Sequence, residues 1–403
     1  MTWELRVLSR AIPSDGVHAF YVNALLRAFV FALVSIFTPV YIYTRALSLW
    51  GSVSMGIMAV AGFFLVQRAI ILFVTIPVSK IIERIGFRRS VAVSVVLCIF
   101  YMAALIAAKQ NFLYVWVAAV LLALNVPFYW VARDSALSQD AAAGKMGTSL
   151  SGIAVLEKIA SLSGPFVAGV IITVWGFTAL FTLSLILLSV SVIPLWWMPH
   201  HTHKNGVSFR GFLLWTIGRR YFHQAVEQVG QAMEDYGLTA VWPLTLYLIG
   251  FNAGVLGVIF SGVAIVTVVV QLLSGMAFDR LRKQHNLSDG VVFGFTTIGT
   301  ALLWLVRLFI FTVTQVVVVD SIGQVFQTVY YGFQSDYLHL GGKRMGSIAF
   351  WVYGEMLYSV SAILLFSLMI VGVYFGVWKE LLFITISVWV LASVVQARES
   401  SMS

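Results

Sequence analysis

Apolar stretches of 18 or more residues recur from one end of this 403-residue chain to the other, each long enough to cross a hydrocarbon core of about 30 Å. No water is available there to satisfy the main chain, so a crossing segment is either a helix or a strand of a closed barrel. The stretches are continuous rather than alternating, which selects helices. Only 10% of the residues are charged, against about 25% in a soluble domain, so the chain cannot cover its apolar surface in water. The first stretch is too long for a cleavable signal, and no small-residue cleavage site follows it. The single cysteine, Cys98, lies inside an apolar run and offers neither a disulfide framework nor a cysteine metal site.

The pattern predicts spans at 17–43, 53–82, 89–109, 112–132, 147–172, 176–198, 221–248, 255–278, 290–312, 314–333, 346–372 and 376–396. Basic residues test that count, because they collect on the cytoplasmic side of a membrane protein. With both termini in the cytoplasm, the inner loops hold Arg6, Arg10, Lys80, Arg84, Arg88, Arg89, Arg133, Lys145, Lys204, Arg210, Arg219, Arg220, Arg280, Arg282, Lys283, Lys343, Arg344 and Arg398. The outer side holds only Arg45, Lys109 and Lys379, and Arg27, Arg68, Lys158 and Arg307 fall within spans. An odd span count would scramble this bias. The net charge of +9 therefore reads as an orientation signal that meets anionic headgroups, and no nucleic-acid partner is expected.

The chain also repeats itself. Pro39 in TPVYIY answers Pro243 in WPLTLY, and Glu83-Arg84 answers Asp279-Arg280. Tyr129-Trp130 with Asp134 answers Tyr330-Tyr331 with Asp336. Lys145-Met146-Gly147 answers Arg344-Met345-Gly346, and Glu157, Ser161 and Ser163 answer Glu355, Ser359 and Ser361. The offsets run from 196 to 204 residues and stay in order. They divide the chain into a six-helix half at 1–198, a polar cytoplasmic linker at 199–219 and a second six-helix half at 220–403. An even number of spans per half makes the repeats parallel, about an axis along the membrane normal.

Two loops within this frame carry a family resemblance. ERIGFRR (Glu83 to Arg89) and GMAFDRLRK (Gly275 to Lys283) each resemble part of the G-x-x-x-D-R-x-G-x-R-R loop signature of the major facilitator superfamily. The first has Ser79 for the leading glycine and Glu83 for the aspartate; the second lacks the later glycine. SGPFVAG (Ser163 to Gly169) resembles the superfamily's G-P-x-x-G-G pattern, with Ala168 replacing a glycine. The resemblance implies an all-α membrane protein of twelve transmembrane helices in two pseudo-twofold-related six-helix bundles around a central cavity. It also implies a cytoplasmic gate built from Glu83, Arg84, Gly86, Arg88, Arg89, Gly275, Asp279 and Arg280. An acid in such a loop can pair with arginines or a helix N-terminus in one conformation and release them in another. Positive-inside anchoring alone is the other reading of the basic residues, although it does not require the acids.

Charges inside the spans narrow the search for chemistry, since one at a helix centre costs roughly 2.5–3.5 kcal/mol on the insertion scale and needs a partner or water. Glu157 lies ten residues past Gly147 and Glu355 nine past Gly346, both near mid-depth at about 1.5 Å per residue. Two readings stay open. Either these acids contact substrate or a coupling proton, or they pair internally, Glu157 with Arg27 and Glu355 with Arg68 or a polar helix face. The seventh span opens on a polar stripe of Gln224, Glu227, Gln231, Glu234 and Asp235. Its helical spacing puts most of the stripe on one face, which must turn away from lipid. Arg68 and Asp320 are expected toward the outer side as further cavity residues, and Arg307 is read as structural. Lys158 is expected to pack on a neighbouring helix. His200, His201 and His203 read as a solvated linker segment rather than a metal site.

These features predict a secondary transporter in the cell membrane, moving a small polar or amphiphilic solute by alternating access. Proton coupling is preferred because the spans hold carboxylates and no nucleotide-binding loop. Export is preferred over uptake on the altered G-P-x-x-A-G pattern. Uniport, and a sensor that kept the fold without transport, remain alternatives. No catalytic constellation argues for an enzyme, no cofactor is expected, and the partners are substrate, lipid and a coupling proton, with a monomer expected.

Overall fold

The computed structural model describes the backbone of residues 16–142, 146–197, 207–218, 222–284, 289–327 and 347–393; side chains are described for 22–133, 160, 162–195, 207–218, 222, 225–269, 294–327 and 349–393. Every regular element among the described residues is helical: α1 (Gly16–Val34), α2 (Phe37–Trp50), α3 (Val53–Ile85), α4 (Phe87–Ala107), α5 (Leu113–Ala142) and α6 (Met146–Ser191). A short α7 (Phe209–Ile217) precedes α8 (Phe222–Tyr236), a π-helical turn at Gly237–Val241, and α9 (Trp242–Ile249). Then follow α10 (Ala253–Gln284), α11 (Asp289–Val306), α12 (313–327), α13 (Ser347–Phe375) and α14 (Trp378–Ala392). Among the described residues, six helical stretches are long and apolar enough to cross a membrane: Val22–Trp50, Val53–Ile85, Phe87–Ala107, Leu113–Arg133, Leu162–Leu195 and Ala349–Phe375. The chain is a multi-pass membrane protein.

The helix breaks fall where the sequence lacks a donor or needs an unusual dihedral. Proline has no N–H and its ring clashes with the carbonyl four residues back. Ahead of Pro39 the first span breaks at residues 35–36, between α1 and α2. Ahead of Pro243 the seventh span loosens into the π turn that separates α8 from α9. Hydroxyls satisfy carbonyls at both breaks: Thr38 Oγ1 donates to the carbonyl of Val34 at 2.9 Å, and Thr245 Oγ1 to that of Val241 at 2.8 Å.

Two links between consecutive helices consist of one glycine each. Gly86 (φ 79°, ψ 167°) joins α3 to α4, and Gly176 (φ 81°, ψ 175°) bends α6. Both sit in a region of backbone space that only glycine adopts without strain. The remaining positive-φ glycines are Gly51, Gly250 and Gly376. Gly51 and Gly250 lie 199 residues apart, and Gly176 and Gly376 lie 200 apart. The repeat seen in the sequence is thus carried by backbone breaks as well as by side chains.

Elements before the linker pack largely on one another (α1 on α6, α5 on α3 and α4), as do those after it (α8 and α13 on α14, α11 on α14). Two long seams join the sets, α3 against α13 and α6 against α10. The second is a backbone contact. A Cβ on Gly257 would lie 2.5 Å from the carbonyl oxygen of Pro165 and 3.1 Å from Gly169 Cα. Beside it, the Phe166 N–H, in the turn that Pro165 disrupts, donates to Ser261 Oγ at 2.9 Å. The SGPFVAG segment is therefore a packing surface, small where another helix must approach closely. The linker contributes α7, capped by Ser208 and held on α13 by Phe212 and Trp215 against Tyr353 and Phe350.

Alanine at Gly86 or Gly176 is expected to lower stability by about 1–3 kcal/mol each, read as earlier thermal unfolding of detergent-purified protein. Alanine at Gly262, which has open space around its Cα and no positive φ, is the matched control. Unfolding of the Gly86 and Gly176 variants at the wild-type temperature would refute this account of the links.

Candidate functional site

Successive residues on an α-helix are turned by about 100°, so a run of three polar residues points three ways. Glu234, Asp235 and Tyr236 form such a run at the C-terminal end of α8, directly before the π turn. Tyr236 faces α3, where the Arg68 guanidinium lies 4.7 Å from its ring centroid. Asp235 faces α13 and accepts a hydrogen bond from the Tyr358 hydroxyl at 2.8 Å. Glu234 faces α12, where Gln327 Nε2 donates to it at 2.6 Å. Non-α turns of this kind recur at functional sites because they re-aim the side chains beside them.

The centre of this arrangement is an ion pair across the α3–α13 seam. Arg68 Nη1 donates to Glu355 Oε1 at 2.6 Å and lies 3.5 Å from Ser359 Oγ. The guanidinium is also 5.1 Å from the centroid of the Tyr358 ring. Tyr236 and Tyr358 stand 5.5 Å apart, and Phe64 stacks on Phe366 at 4.9 Å beside them. Side-chain exposure is 10% for Arg68 and 19% for Glu355. The nitrogen Nε of Arg68 and the neighbouring Gln67 Oε1 are buried without a hydrogen-bond partner among the described residues. Of the two readings open for Glu355, the internal pair with Arg68 is present. Arg68 does not lie toward the outer end of its span as expected. Arg68 is central in the 33-residue α3, as it already was in the predicted span 53–82, so the outward expectation did not follow from the span's own bounds.

The polar stripe of the seventh span turns inward. Glu227 is 1% exposed and Glu234 3%, Gln231 is half-buried, and Gln228 packs against Gly354. Asp320 departs from the cavity expectation. One of its carboxylate oxygens accepts from Arg307 Nη2 at 2.8 Å and the other from the Trp242 indole N–H at 2.9 Å. Both members of that ion pair are about 95% buried, between α9, α12 and the turn after α11. Arg307 is structural as read, and Asp320 is its counter-ion. Arg27 donates to Asn125 Oδ1 at 2.8 Å and Ser94 Oγ at 3.3 Å. Its guanidinium lies 3.7 Å from the Tyr129 ring centroid. The side chain of Glu157 lies outside the described residues, as do those of Lys158, Gln224, Asp134, Gly275, Asp279 and Arg280; Tyr330, Tyr331, Asp336 and the linker histidines lie there entirely. In the first loop copy Arg84 and Arg89 are exposed, Glu83 and Arg88 half-buried, and Gly86 buried.

Sequence reasoning missed Tyr236, Tyr358, Gln324 and Gln327. The two glutamines carried a legible signal, being amides three residues apart in an otherwise apolar span. The tyrosines did not, since aromatic residues are common throughout the chain.

No protein-family model matches the sequence, and no curated protein is detectably similar to it. Solved structures are. The chain superposes on the POT family transporter PepTSo with a TM-score of 0.74 at 9% identity, covering 97% of this chain and 98% of that one. It superposes on the human organic anion transporter MFSD10 (TETRAN) with a TM-score of 0.67 at 11% identity, covering 96% and 100%. For a D-xylose-proton symporter the TM-score is 0.66 at 13% identity, covering 95% and 97%. The chain has the major facilitator fold. The α3–α13 and α6–α10 seams, with the polar run before the π turn, lie within that fold.

Removing one partner of a buried ion pair strands the other charge at a cost of about 3–5 kcal/mol, whereas replacing both by apolar residues costs far less. Asp320→Asn is therefore expected to destabilise the protein severely and Asp320→Leu with Arg307→Met much less, by thermal unfolding in detergent. Equal losses in the two variants would assign the pair a different role.

Proposed function

We propose that this protein is a proton-coupled secondary transporter for a small polar or amphiphilic solute, working by alternating access between two six-helix halves. The halves are residues 1–198 and 220–403, joined by the cytoplasmic linker 199–219, and together they cross the membrane twelve times. The sidedness of the basic residues and the paired positions of the proline and glycine breaks support this division. The first loop copy, Glu83 to Arg89, and the second, Gly275 to Arg280, form the cytoplasmic gate.

The observation that carries the reading is the Arg68–Glu355 ion pair. It joins one half to the other in the middle of α3 and is the kind of contact a rocking motion must make and break. A proton on Glu355 removes its charge and with it most of the attraction that holds the halves together at this point. A solute with an oxygen acceptor can then take the guanidinium, including the Nε–H that has no acceptor among the described residues. Asp235 and Tyr358 supply a second polar contact one turn away. The proton competes with Arg68 for the Glu355 carboxylate and the solute competes with Glu355 for the guanidinium, which couples the two fluxes. A proton symporter among the structural neighbours agrees with this scheme. Export is the direction we assign, on the Ser163–Gly169 pattern, with a cell-membrane location and a monomeric unit.

The test is solute flux in proteoliposomes, using small polar and amphiphilic compounds first selected by their thermal stabilisation of the purified protein. Wild-type flux should follow an imposed pH gradient. Glu355→Gln should lower gradient-driven flux at least about tenfold, or about 1.4 kcal/mol, while leaving solute exchange across the membrane measurable. Gradient-driven flux that survives in this variant would remove Glu355 from the coupling role.

A further inference from the structure

We propose that Glu234 is a second proton-binding site, separate from Glu355, whose protonation state is read across three helices by a reversible chain of hydrogen bonds. The inference rests on the proton-coupled reading above and adds to it a site within the second half. Glu234 is 3% exposed, and a continuous polar chain leads away from it through otherwise apolar packing. Gln327 Nε2 donates to Glu234 Oε1 at 2.6 Å, Gln324 Nε2 donates to Gln327 Oε1 at 3.1 Å, and the Thr267 hydroxyl donates to Gln324 Oε1 at 3.0 Å. The chain crosses from α8 through α12 to α10.

The polarity of this chain is dictated by one charge. An ionised carboxylate only accepts, so Gln327 must turn its NH2 group toward Glu234. Its carbonyl then faces Gln324, which must present its own NH2 group there, leaving its carbonyl for a donor on α10. The Thr267 hydroxyl is that donor, and this is the arrangement found. A proton on Glu234 makes it a donor. Gln327 then presents its carbonyl to Glu234, both amides turn over, and the Gln324 NH2 group faces the Thr267 oxygen. That reversed chain is also complete, because Thr267 Oγ1 lies 2.9 Å from the carbonyl of Val263 in its own helix and donates there instead. Both orientations leave every member of the chain bonded, whereas a chain satisfied in only one would hold Glu234 in a single protonation state.

The surrounding charges do not short-circuit this chain. Asp235 and Arg307 are the charged groups that act on Glu234; the first is engaged by Tyr358 and the second by Asp320. On α13, Glu355 is held by Arg68. Asp320 is the one acid on α12 within 313–327, and α14 has no titratable residue after Glu380. Glu227 lies two turns back along α8. The far end of the chain is on α10, the helix that meets α6 at Gly257. A proton on Glu234 is thereby registered at Thr267 on α10, about three turns from the Gly257 contact, while a proton on Glu355 acts on the α3–α13 seam.

Infrared difference spectroscopy of the full-length protein in lipid vesicles, between acidic and alkaline buffer and without solute, tests this directly. Two carbonyl bands of protonated carboxyls should appear with acid. Glu355→Gln should remove one and Glu234→Gln the other. With isotope-labelled glutamine, the side-chain amide signal should change together with the Glu234 band, and Gln327→Leu should abolish that amide change while keeping a carboxyl band shifted in frequency. Persistence of both bands in Glu234→Gln overturns the inference, as does an amide signal that ignores pH. Should Glu234→Gln fail to fold, the Gln327→Leu spectra decide: an unchanged amide signal refutes the chain. Loss of only the Glu355 band from the wild-type expectation would instead count against the coupling reading and leave this one standing.

Discussion

Hydrocarbon offers no partner to a polar group, and every placement of charge in this molecule follows from that. Among the described residues, charges on the helices find polar partners: Arg27 with Asn125 and Ser94; Arg68 with Glu355; Glu234 with Gln327; Asp235 with Tyr358; Arg307 with Asp320. Each lies between helices rather than on the outside of one. They differ in how completely their members are satisfied. The Arg307–Asp320 pair uses both carboxylate oxygens and is closed by the Trp242 indole, which suits a fixed strut. The Arg68–Glu355 pair is monodentate, keeps more exposure and leaves a donor unspent. The physical difference between the two pairs lies there, since each sets an arginine against a carboxylate.

The same lack of water governs the main chain, where a break is tolerated only if something else takes the freed groups. Pro39 and Pro243 impose breaks at equivalent points, and Thr38 and Thr245 answer both. This part of the fold was legible in the sequence, because prolines and glycines act locally and because the repeat marked the positions twice. The inward face of α8 was legible for a similar reason: five polar residues at helical spacing cannot face lipid. The length of α3 was not. The predicted span stops at residue 82 while the helix continues through Glu83 and Arg84 to Ile85, because polar residues can carry a helix beyond its apolar layer.

Partner choice was only partly legible. Sequence depth put Glu355 near the midplane and Arg68 toward the outer side, and their pairing was one of the open readings. Whether two residues 287 positions apart meet depends on the rotation and register of α3 against α13, which no single-chain pattern records. Asp320 shows the converse. Once Arg307 had been set aside as structural, its counter-ion seemed free for a cavity, yet a buried arginine almost requires an acid within reach. Asp320, thirteen residues on and across one tight connection, was the nearest within those spans.

The two acids that share the end of α8 show how little sequence distance says about chemical role. Glu234 and Asp235 are adjacent, and the helical turn between them sends one into a chain of neutral amides and the other to a tyrosine beside a guanidinium. Asp235 is held by the Tyr358 hydroxyl, one turn from the Glu355 that binds Arg68, and so belongs to the α3–α13 seam. A proton on Glu234 is answered by amides that carry no charge and can reverse. On the proposed reading the two proton sites are Glu234 and Glu355, and they stand in different contacts, the α8–α12–α10 amide chain for the first and the α3–α13 seam for the second. Adjacency in sequence thus places two like acids in separate hydrogen-bond systems, because the helix turns them toward different neighbours.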